Sequence, residues 1–331
     1  MPLRTKLCDL LSIDLPIIQA PIGSASGAQL ASAVSNAGGL GMLSITWRSP
    51  EEVRRLLREI RQLTGKPIGV NQVLRWDPGD RIEICLQEGV RIFSFFWGDP
   101  APYIDFLHQA GALVMHTVGS ANEARRAVDS GVDIVIAQGW EAGGHVWGEV
   151  STMVLVPAVV DAVDPVPVVA AGGIADGRGL AAVLMLGASG AWLGTRFVAS
   201  EESDVHRLHK EMVVSHSERD TVYGEPFNVG WEDSPHRALR NSTLEAWEAA
   251  GRPATNRPGE GDAIAAYANG TPVLRYTSVM PGPNMTGELE GLALFAGQST
   301  GLIHDIEPAG KIVTDLAREA EELLARGVEL A

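Results

Sequence analysis

The feature that most constrains the fold is the regular alternation of short apolar segments with helical patterns along residues 16–197. Each apolar segment is almost continuously hydrophobic, which is typical of parallel strands that helices cover on both faces. Eight such segments predict strands, at residues 16–20, 41–45, 67–73, 90–96, 112–118, 133–139, 166–173 and 190–197. Strand and helix alternate at a spacing that indicates a series of βαβ units.

The segments between the strands carry helix start and stop signals. Ser49-Pro50-Glu51-Glu52 and Ser120-Ala121-Asn122-Glu123 each combine an N-cap serine with a capping-box glutamate. Single glycines precede most of the following strands, as expected where helices end. Eight consecutive βα units predict an α/β fold of the (β/α)8 TIM-barrel class, and an open doubly wound sheet is the alternative.

The alternation stops after a predicted helix near residues 202–216. Residues 217–287 are rich in proline and predict a smaller irregular lid or side domain. The last segment, 288–331, ends in a helical pattern that we expect to pack back onto the barrel. The sequence therefore predicts a barrel formed by residues 1–216 and 288–331, with 217–287 as a lid or substrate-covering segment.

Charge and cysteine content argue against several classes of protein. The formal net charge is −15 and there is no stripe of lysine and arginine, so we do not expect nucleic-acid binding. The two cysteines, Cys8 and Cys85, form neither a disulfide framework nor a metal-binding spacing. The chain has no apolar run of membrane-spanning length and no cleavable leader pattern, which predicts a cytoplasmic protein. The composition is compatible with a homo-oligomer.

Functional residues of a barrel of this class lie at the carboxyl ends of the strands. Gly172-Gly173 comes at the end of the seventh predicted strand, and Gly194-Thr195 at the end of the eighth. Backbone N–H groups in these two neighbouring loops commonly bind phosphate. Asn71 in the third strand places a polar amide at the same end of the barrel, where we expect a ligand.

Longer motifs connect these positions along the chain. They are PIIQAPIG, AVSNAGGLG, GVN, AQGWEAGGH, AAGGIADGRGLAAVLMLGA and LGTRF, in this order between residues 14 and 203, with AGQSTGLI at 296–303. Together they resemble the nitronate monooxygenase family, also called 2-nitropropane dioxygenases. The resemblance implies a TIM barrel that binds FMN non-covalently, and FMN carries the phosphate that the glycine loops are suited to hold.

The resemblance also implies which residues contact the cofactor. Those implied to line the isoalloxazine are Ala20, Pro21 and Ile22, and those implied to hydrogen-bond its polar edge are Asn71 and Gln138. The resemblance further implies that Gly143 and Gly144 let the chain pass close to the cofactor. The residues implied to hold or surround the phosphate are Gly172, Gly173, Trp192, Leu193, Gly194 and Thr195.

His145 follows the glycine pair and is the implied catalytic residue. Glycines at 143 and 144 leave room for the loop to cross the cofactor, so that the imidazole stands where a substrate carbon would lie. A neutral imidazole accepts a proton from a nitroalkane, and an imidazolium stabilises an anionic nitronate. A structural histidine is the alternative interpretation. Two residues depart from the family: Ile22 stands where many relatives have methionine, and Thr117 where some have lysine.

The predicted activity is that of an FMN-dependent nitronate monooxygenase, an oxidoreductase that converts alkyl nitronates and O2 to carbonyl compounds and nitrite. Its partners are a small nitronate or nitroalkane and O2, with no metal ion. The first alternative is an NAD(P)H-dependent FMN reductase of the same fold, either a quinone reductase or an enoyl-acyl-carrier-protein reductase. The second is a barrel that holds a phosphorylated metabolite without a flavin.

Two further interpretations concern single side chains. Glu141 and Arg196 are candidates for a structural ion pair. Scattered tryptophans usually pack in a core, but four are candidates for the wall of an apolar pocket. They are Trp97, Trp140, Trp147 and Trp231.

Overall fold

The computed structural model describes residues 3–329 and has a closed barrel of parallel strands at its centre. The first nine strands in chain order are β1 (Ile17–Gln19), β2 (Gly41–Ser44), β3 (Ile68–Val73), β4 (Ile92–Phe96), β5 (Leu113–Val118), β6 (Ile134–Gln138), β7 (Gly144–His145), β8 (Val168–Ala171) and β9 (Gly190–Leu193). All except β7 form one parallel sheet in the order β1-β9-β8-β6-β5-β4-β3-β2, and a bridge between Ile18 and Leu40 joins β1 to β2. The TIM barrel expected from the sequence is therefore confirmed.

Helices connect the strands and form the outer layer. They are α1 (Lys6–Leu11), α2 (Ala28–Asn36), α3 (Pro50–Leu63), α4 (Arg81–Gln87), α5 (Ala101–Gln109), α6 (Ala121–Asp129), α7 (Thr152–Val163), α8 (Gly177–Met185), α9 (Thr195–Val198), α10 (Arg207–Ser215), α11 (Ser242–Ala249) and α12 (Ala309–Glu329), with 3₁₀ turns at Gly23–Ala25, Leu289–Gly291 and Gln298–Leu302. The predicted caps are present, because the Ser49 and Ser120 hydroxyls accept hydrogen bonds from the N–H groups of Glu52 and Glu123. Helix α12 returns to pack against α8 and α2 and completes the helical layer.

Two apolar layers support the mouth of the barrel. One fills the barrel interior with side chains such as Ile18, Met115 and Trp192. The other lies between the strands and the helices and contains Phe93 and Leu193. Because side chains alternate along a strand, Trp192 faces inwards and its neighbour Leu193 faces the helices.

The last barrel strand is shorter than the sequence predicts. The predicted strand covers 190–197, but the strand ends at Leu193 and the chain turns at Gly194 into the short helix α9. The strand assignment is wrong over 194–197, because a short buried helix has the same apolar composition as a buried strand.

Residues 217–287 contain two small sheets in addition to loops. Strands β10 (Thr221–Gly224) and β11 (His236–Leu239) form the first sheet together with β7 from the barrel. Strands β12 (Ala263–Ala266), β13 (Pro272–Leu274) and β14 (Thr286–Gly287) form the second. The segment is more regular than its proline content suggests, because β11 pairs with a strand that lies far away in the sequence.

Three properties of the described chain bear on its chemistry. Among residues 3–329, no helix has both the length and the apolar character needed to cross a membrane. The same residues contain no group of three or more His, Cys, Asp or Glu side chains placed to hold a metal ion. Cys8 and Cys85 are both free and buried.

Candidate active site

A cavity of about 600 Å³ opens at the carboxyl ends of the barrel strands. Each of the eight barrel strands, or the residue that follows it, contributes at least one lining residue. The lining residues singled out from the sequence are Ala20, Pro21, Ile22, Asn71, Gln138, Gly143, Gly144, His145, Gly172, Gly173, Trp192, Gly194 and Thr195. The structure therefore brings every predicted site residue except Leu193 to one cavity.

Leu193 is the predicted residue that does not line the cavity. Its side chain packs in the layer between the barrel and the helices. Its backbone helps to close the barrel, since its carbonyl oxygen accepts a hydrogen bond from the Ala20 N–H at 2.8 Å. The side chain of Leu193 therefore points away from a ligand at this site, as strand alternation requires.

Two glycine-containing loops lie side by side at the rim of the cavity. Gly172-Gly173 follows β8 and Gly194 follows β9, and these two strands are paired neighbours. Gly172 and Gly173 have φ angles of +99° and +74°, which residues with a side chain rarely adopt. A Cβ atom at Gly172 would lie 2.9 Å from the carbonyl oxygen of Gly139. Bare backbone therefore forms this part of the rim, and its N–H groups are suited to an anion.

The loop after β6 carries Gly143, Gly144 and His145 and is held in place as a strand. Its last two residues form β7, which pairs with β11 in antiparallel fashion. A Cβ atom at Gly143 would lie 2.2 Å from the amide nitrogen of Gly297, so this glycine permits two loops to pack closely. Gly144 has a φ of +67°, and a Cβ atom there would meet nothing within 4 Å. The two glycines are thus required for different reasons, loop packing and backbone conformation.

Arg237 is a buried cation that holds this loop. Its Nη2 donates to the Trp140 carbonyl oxygen at 2.9 Å, and its Nε donates to that of Ala142 at 3.2 Å. The guanidinium carbon also lies 4.2 Å from the centroid of the Trp140 ring. Burial lowers the pKa of Arg237, and the nearby Glu141 carboxylate opposes that shift. No sequence motif signals this role, because the two carbonyl partners lie 97 and 95 residues away along the chain.

The His145 imidazole packs among aromatic rings. The Trp231 ring centroid lies 3.8 Å from it, and those of Phe295 and His236 lie at 5.3 and 5.6 Å. Its Nε2 is 3.1 Å from the Ser278 hydroxyl oxygen, whereas Nδ1 is buried without a hydrogen-bond partner among residues 3–329. Burial, and secondarily the neighbouring His236, holds the pKa of His145 well below its usual value. The ring is therefore neutral at pH 7.

Two amide side chains line the cavity and differ in how many of their hydrogen-bonding groups are occupied. The Gln138 Nε2 donates to the His145 carbonyl oxygen at 3.1 Å, and its Oε1 accepts from the Trp147 N–H at 2.9 Å. The Asn71 Nδ2 donates to the Ser94 hydroxyl and carbonyl oxygens at 3.1 and 3.2 Å. Gln138 thus braces the His145 loop, while Asn71 keeps its carbonyl oxygen available to a ligand.

The cavity offers little charge to a ligand. Its charged lining residues in the described chain are Arg48 and Glu52, which pair with each other. The remaining Arg48 nitrogens donate to the carbonyl oxygens of Ser44 and Ser26 at 3.0 and 3.1 Å. Within residues 3–329, the cavity lining has no unpaired cation, so an anion bound there depends on backbone N–H groups.

Several lining residues were not identified from the sequence as parts of the site. They are Trp47, Trp76, Ser278, Met280 and Phe295. Trp47 and Trp76 follow β2 and β3, so their position after a strand was a usable signal. The others have no local signal, because they come from segments outside the barrel units. Of the four tryptophans considered from the sequence, Trp231 lines the cavity, whereas Trp140 stacks on Arg237.

The expected ion pair between Glu141 and Arg196 does not form. Glu141 accepts hydrogen bonds from the N–H and the hydroxyl of Thr152 at 2.9 and 3.0 Å. Arg196 donates to the carboxylate and the carbonyl oxygen of Asp305 at 2.7 and 2.9 Å. The two residues therefore support different loops.

Comparison with known proteins identifies the family. The sequence model of the nitronate monooxygenase family matches residues 4–80 and 75–319. The chain belongs to the nitronate monooxygenase family. It is accordingly an oxidoreductase of a flavin-dependent family.

Three known enzymes illustrate the proteins to which this chain is similar. The (3aS,4S,5R,7aS)-5-hydroxy-7a-methyl-1-oxo-octahydro-1H-indene-4-carboxyl-CoA dehydrogenase of Mycobacterium tuberculosis is 40% identical over 255 residues, covering 76% of this chain and 70% of that protein. FabK from Thermotoga maritima has a TM-score of 0.82 at 36% identity, with 99% of both chains covered. A nitroalkane oxidase from Streptomyces ansochromogenes has a TM-score of 0.77 at 31% identity, covering 96% of this chain and 98% of the other.

Proposed function

We propose that the protein is an FMN-dependent nitronate monooxygenase, which converts a nitroalkane or its nitronate and O2 to a carbonyl compound and nitrite. One observation carries the proposal: a single cavity contains two bare glycine loops and His145, whose Nδ1 has no hydrogen-bond partner within residues 3–329. The loops are suited to the phosphate of FMN, and the imidazole is suited to proton transfer at a substrate carbon.

The residues present fit FMN in their chemistry. Gly172, Gly173 and Gly194 leave room for a phosphate to reach backbone N–H groups. The apolar lining around Trp192 suits an isoalloxazine ring, and the Asn71 carbonyl oxygen suits an N–H donor on its polar edge. When bound, FMN would accept electrons from the substrate and pass them to O2.

The chain's own part in the reaction centres on His145. Its neutral imidazole can accept a proton, and when Nε2–H donates to Ser278, the Nδ1 lone pair is the acceptor. Proton transfer from a neutral nitroalkane creates an imidazolium beside a nitronate. The two charges then stabilise each other in a cavity whose only lining cation in the described chain, Arg48, is already paired.

Residues 217–287 act as a lid or substrate-covering segment in this proposal. Trp231 and Ser278 both belong to it and both contact His145. Trp231 lies against one face of the imidazole, with the two ring centroids 3.8 Å apart. Ser278 orients the imidazole through the contact between its hydroxyl oxygen and Nε2, at 3.1 Å. A segment that covers the site also excludes water, which strengthens the attraction between the imidazolium and the nitronate.

A flavin-dependent oxidoreductase of acyl thioesters, with NAD(P)H as the hydride donor in the reductive direction, is the second candidate. The apolar cavity favours it, because the described part of the chain places no unpaired cation in the lining, and an uncharged acyl group enters such a cavity more readily than a free anion does. The similarity to a carboxyl-CoA dehydrogenase is a second argument for it. His145 would then exchange the proton of the carbon next to the thioester carbonyl.

Anaerobic mixing of the flavin-loaded protein with separate reductants distinguishes the candidates. We expect nitroethane and its nitronate to bleach the flavin, and NADH and NADPH to leave it oxidised. Bleaching by NADH or NADPH with no reaction of the nitronate would overturn the monooxygenase in favour of the reductase.

His145→Asn tests the role of the imidazole in the same experiment. The variant should keep its flavin and react with preformed nitronate, but react at least about 100-fold more slowly with neutral nitroethane. An unchanged rate with neutral nitroethane would remove His145 from the reaction.

A further inference from the structure

Five of the chain's eight tryptophans form one continuous cluster at the mouth of the cavity. In order of contact they are Trp47, Trp76, Trp231, Trp97 and Trp147, and we call them the tryptophan wall. Successive ring centroids lie 5.5, 4.9, 5.1 and 4.7 Å apart, with interplanar angles between 70° and 73°. This edge-to-face arrangement is a favourable one for aromatic pairs.

The wall is assembled from separate loops at the same end of the barrel. Trp47, Trp76 and Trp97 follow β2, β3 and β4, Trp147 follows β7, and Trp231 comes from the segment 217–287. Trp47, Trp76 and Trp231 line the cavity itself, and the other two pack behind them. Trp97 has a φ of +58°, an unusual conformation for a residue of this size.

Core packing does not account for the wall. Trp47 is 56% exposed and Trp147 is 39% exposed. The rings at the two ends of the wall therefore expose apolar surface, whereas Trp231 between them is 3% exposed. Exposed apolar surface at the mouth of a cavity is typical of a binding site. The wall also reaches the proposed centre of reaction, since Trp231 lies against the His145 ring as well as against Trp76 and Trp97.

We propose that the tryptophan wall binds a bulky, uncharged, ring-containing part of the substrate while the reacting carbon lies at His145. The inference rests on the proposed function, because it takes His145 as the place of reaction. Tryptophan faces and edges contribute large apolar areas that a fused ring system can cover. The one lining cation, Arg48, is paired with Glu52 in the described chain, so the wall has no free cation beside it to attract an anionic group. The substrate is therefore a compound with fused rings rather than a small nitroalkane.

A binding measurement tests the wall without any turnover. The flavin-loaded protein is titrated calorimetrically with 1-decalone, an unreactive fused bicyclic ketone, and with butanone as its small counterpart. We expect 1-decalone to bind at least about tenfold more tightly than butanone. Trp47→Ala should weaken 1-decalone binding about tenfold and leave butanone unchanged.

Two control variants keep the measurement specific. Trp47→Phe should recover most of the affinity, because it restores an aromatic ring. Phe106→Ala removes a 48% exposed aromatic ring from α5, outside the cavity lining, and should change nothing. Equal affinities for the two ketones, or an unchanged affinity in Trp47→Ala, would overturn the inference.

Steady-state kinetics separate this inference from the proposed function. Trp47→Ala should lower kcat/KM for 2-(2-nitroethyl)naphthalene about tenfold more than it lowers kcat/KM for nitroethane, mainly through KM. One outcome would refute the proposed function and support the inference about the wall. In it, neither nitroalkane is turned over, 1-decalone still binds, and Trp47→Ala still weakens the binding of 1-decalone. If Trp47→Ala raises the KM for NADPH and leaves 1-decalone binding unchanged, the wall holds a dinucleotide and the inference is wrong.

Discussion

Replacing Arg237 with methionine tests whether a buried cation positions the His145 loop. The substitution keeps most of the side-chain volume but leaves the carbonyl oxygens of Trp140 and Ala142 without their donor. Each buried carbonyl that loses its partner costs about 1–3 kcal/mol, and loss of the contact with the Trp140 ring adds about 2 kcal/mol. Removal of a desolvated charge offsets several kcal/mol of this loss. We therefore expect a net destabilisation of about 2 kcal/mol.

The effect on catalysis should be larger than the effect on stability. Arg237 binds the backbone just before Gly143, so its loss lets the loop move relative to the cofactor and the substrate. A displacement of about 1 Å at a reacting group can lower the rate about 100-fold. We expect Arg237→Met to lower kcat/KM for neutral nitroethane by about that factor while the flavin content stays at the wild-type level. Anaerobic flavin bleaching and urea denaturation measure the two effects.

Arg240→Met is the matched control. Arg240 lies just past the end of the same strand, but its side chain is 40% exposed and pairs with Glu248 at the surface. Such pairs contribute little, so kcat/KM should stay at the wild-type value. If Arg237→Met is destabilised but keeps the wild-type kcat/KM, Arg237 supports the fold without positioning His145, and the reasoning fails.

Three further sets of substitutions test other parts of the molecule. Gly194→Ala adds a Cβ whose nearest neighbour is 3.5 Å away, so the unfolding temperature should not change. The FMN dissociation constant should rise at least about tenfold. An unchanged affinity for FMN would contradict a phosphate at this glycine. Gly143→Ala places a Cβ 2.2 Å from the Gly297 nitrogen and should lower the unfolding free energy, measured in urea, by about 3 kcal/mol. Gly144→Ala is strained only by its positive φ and should lower it by about 1–2 kcal/mol. The reverse order would contradict the packing argument. His209 is fully buried, and burial lowers its pKa from 6.5 to about 4, so the unfolded chain takes up the proton first as the pH falls. Its contribution to stability is complete above pH 6.5 and is lost by up to about 1.4 kcal/mol per pH unit down to pH 4. His209→Gln should therefore flatten the pH dependence of the unfolding free energy, and an equally steep profile would refute this.

The barrel is predictable because each of its units carries its own local signals. An almost continuous apolar run marks each strand, and caps such as Ser49 and Ser120 mark the start of the following helix. The prediction fails over residues 194–197, where four residues are too few to distinguish a helical from a strand period. Local signals also fail for β11, whose partner strand is part of the barrel loop.

The site is predictable to the extent that its residues follow barrel strands. His145 and the glycines at 172 and 173 lie at strand ends, so the barrel geometry alone brings them together. Trp231 and Ser278 contact His145, and Arg237 contacts the loop before it, through long-range interactions that no short sequence pattern predicts. The alternation of side chains along β9 was available from the sequence, and it excludes Leu193 from the cavity lining.

The central claim is that the loops after β8 and β9 hold the phosphate of FMN beside His145. Equilibrium titration of the flavin-free protein with FMN and with riboflavin, which lacks the phosphate, measures this most directly through the quenching of flavin fluorescence. We expect FMN to bind at least about 100-fold more tightly than riboflavin, since charge-assisted hydrogen bonds to several N–H groups are lost without the phosphate. Equal affinity for the two flavins, or no binding of either, would contradict the claim.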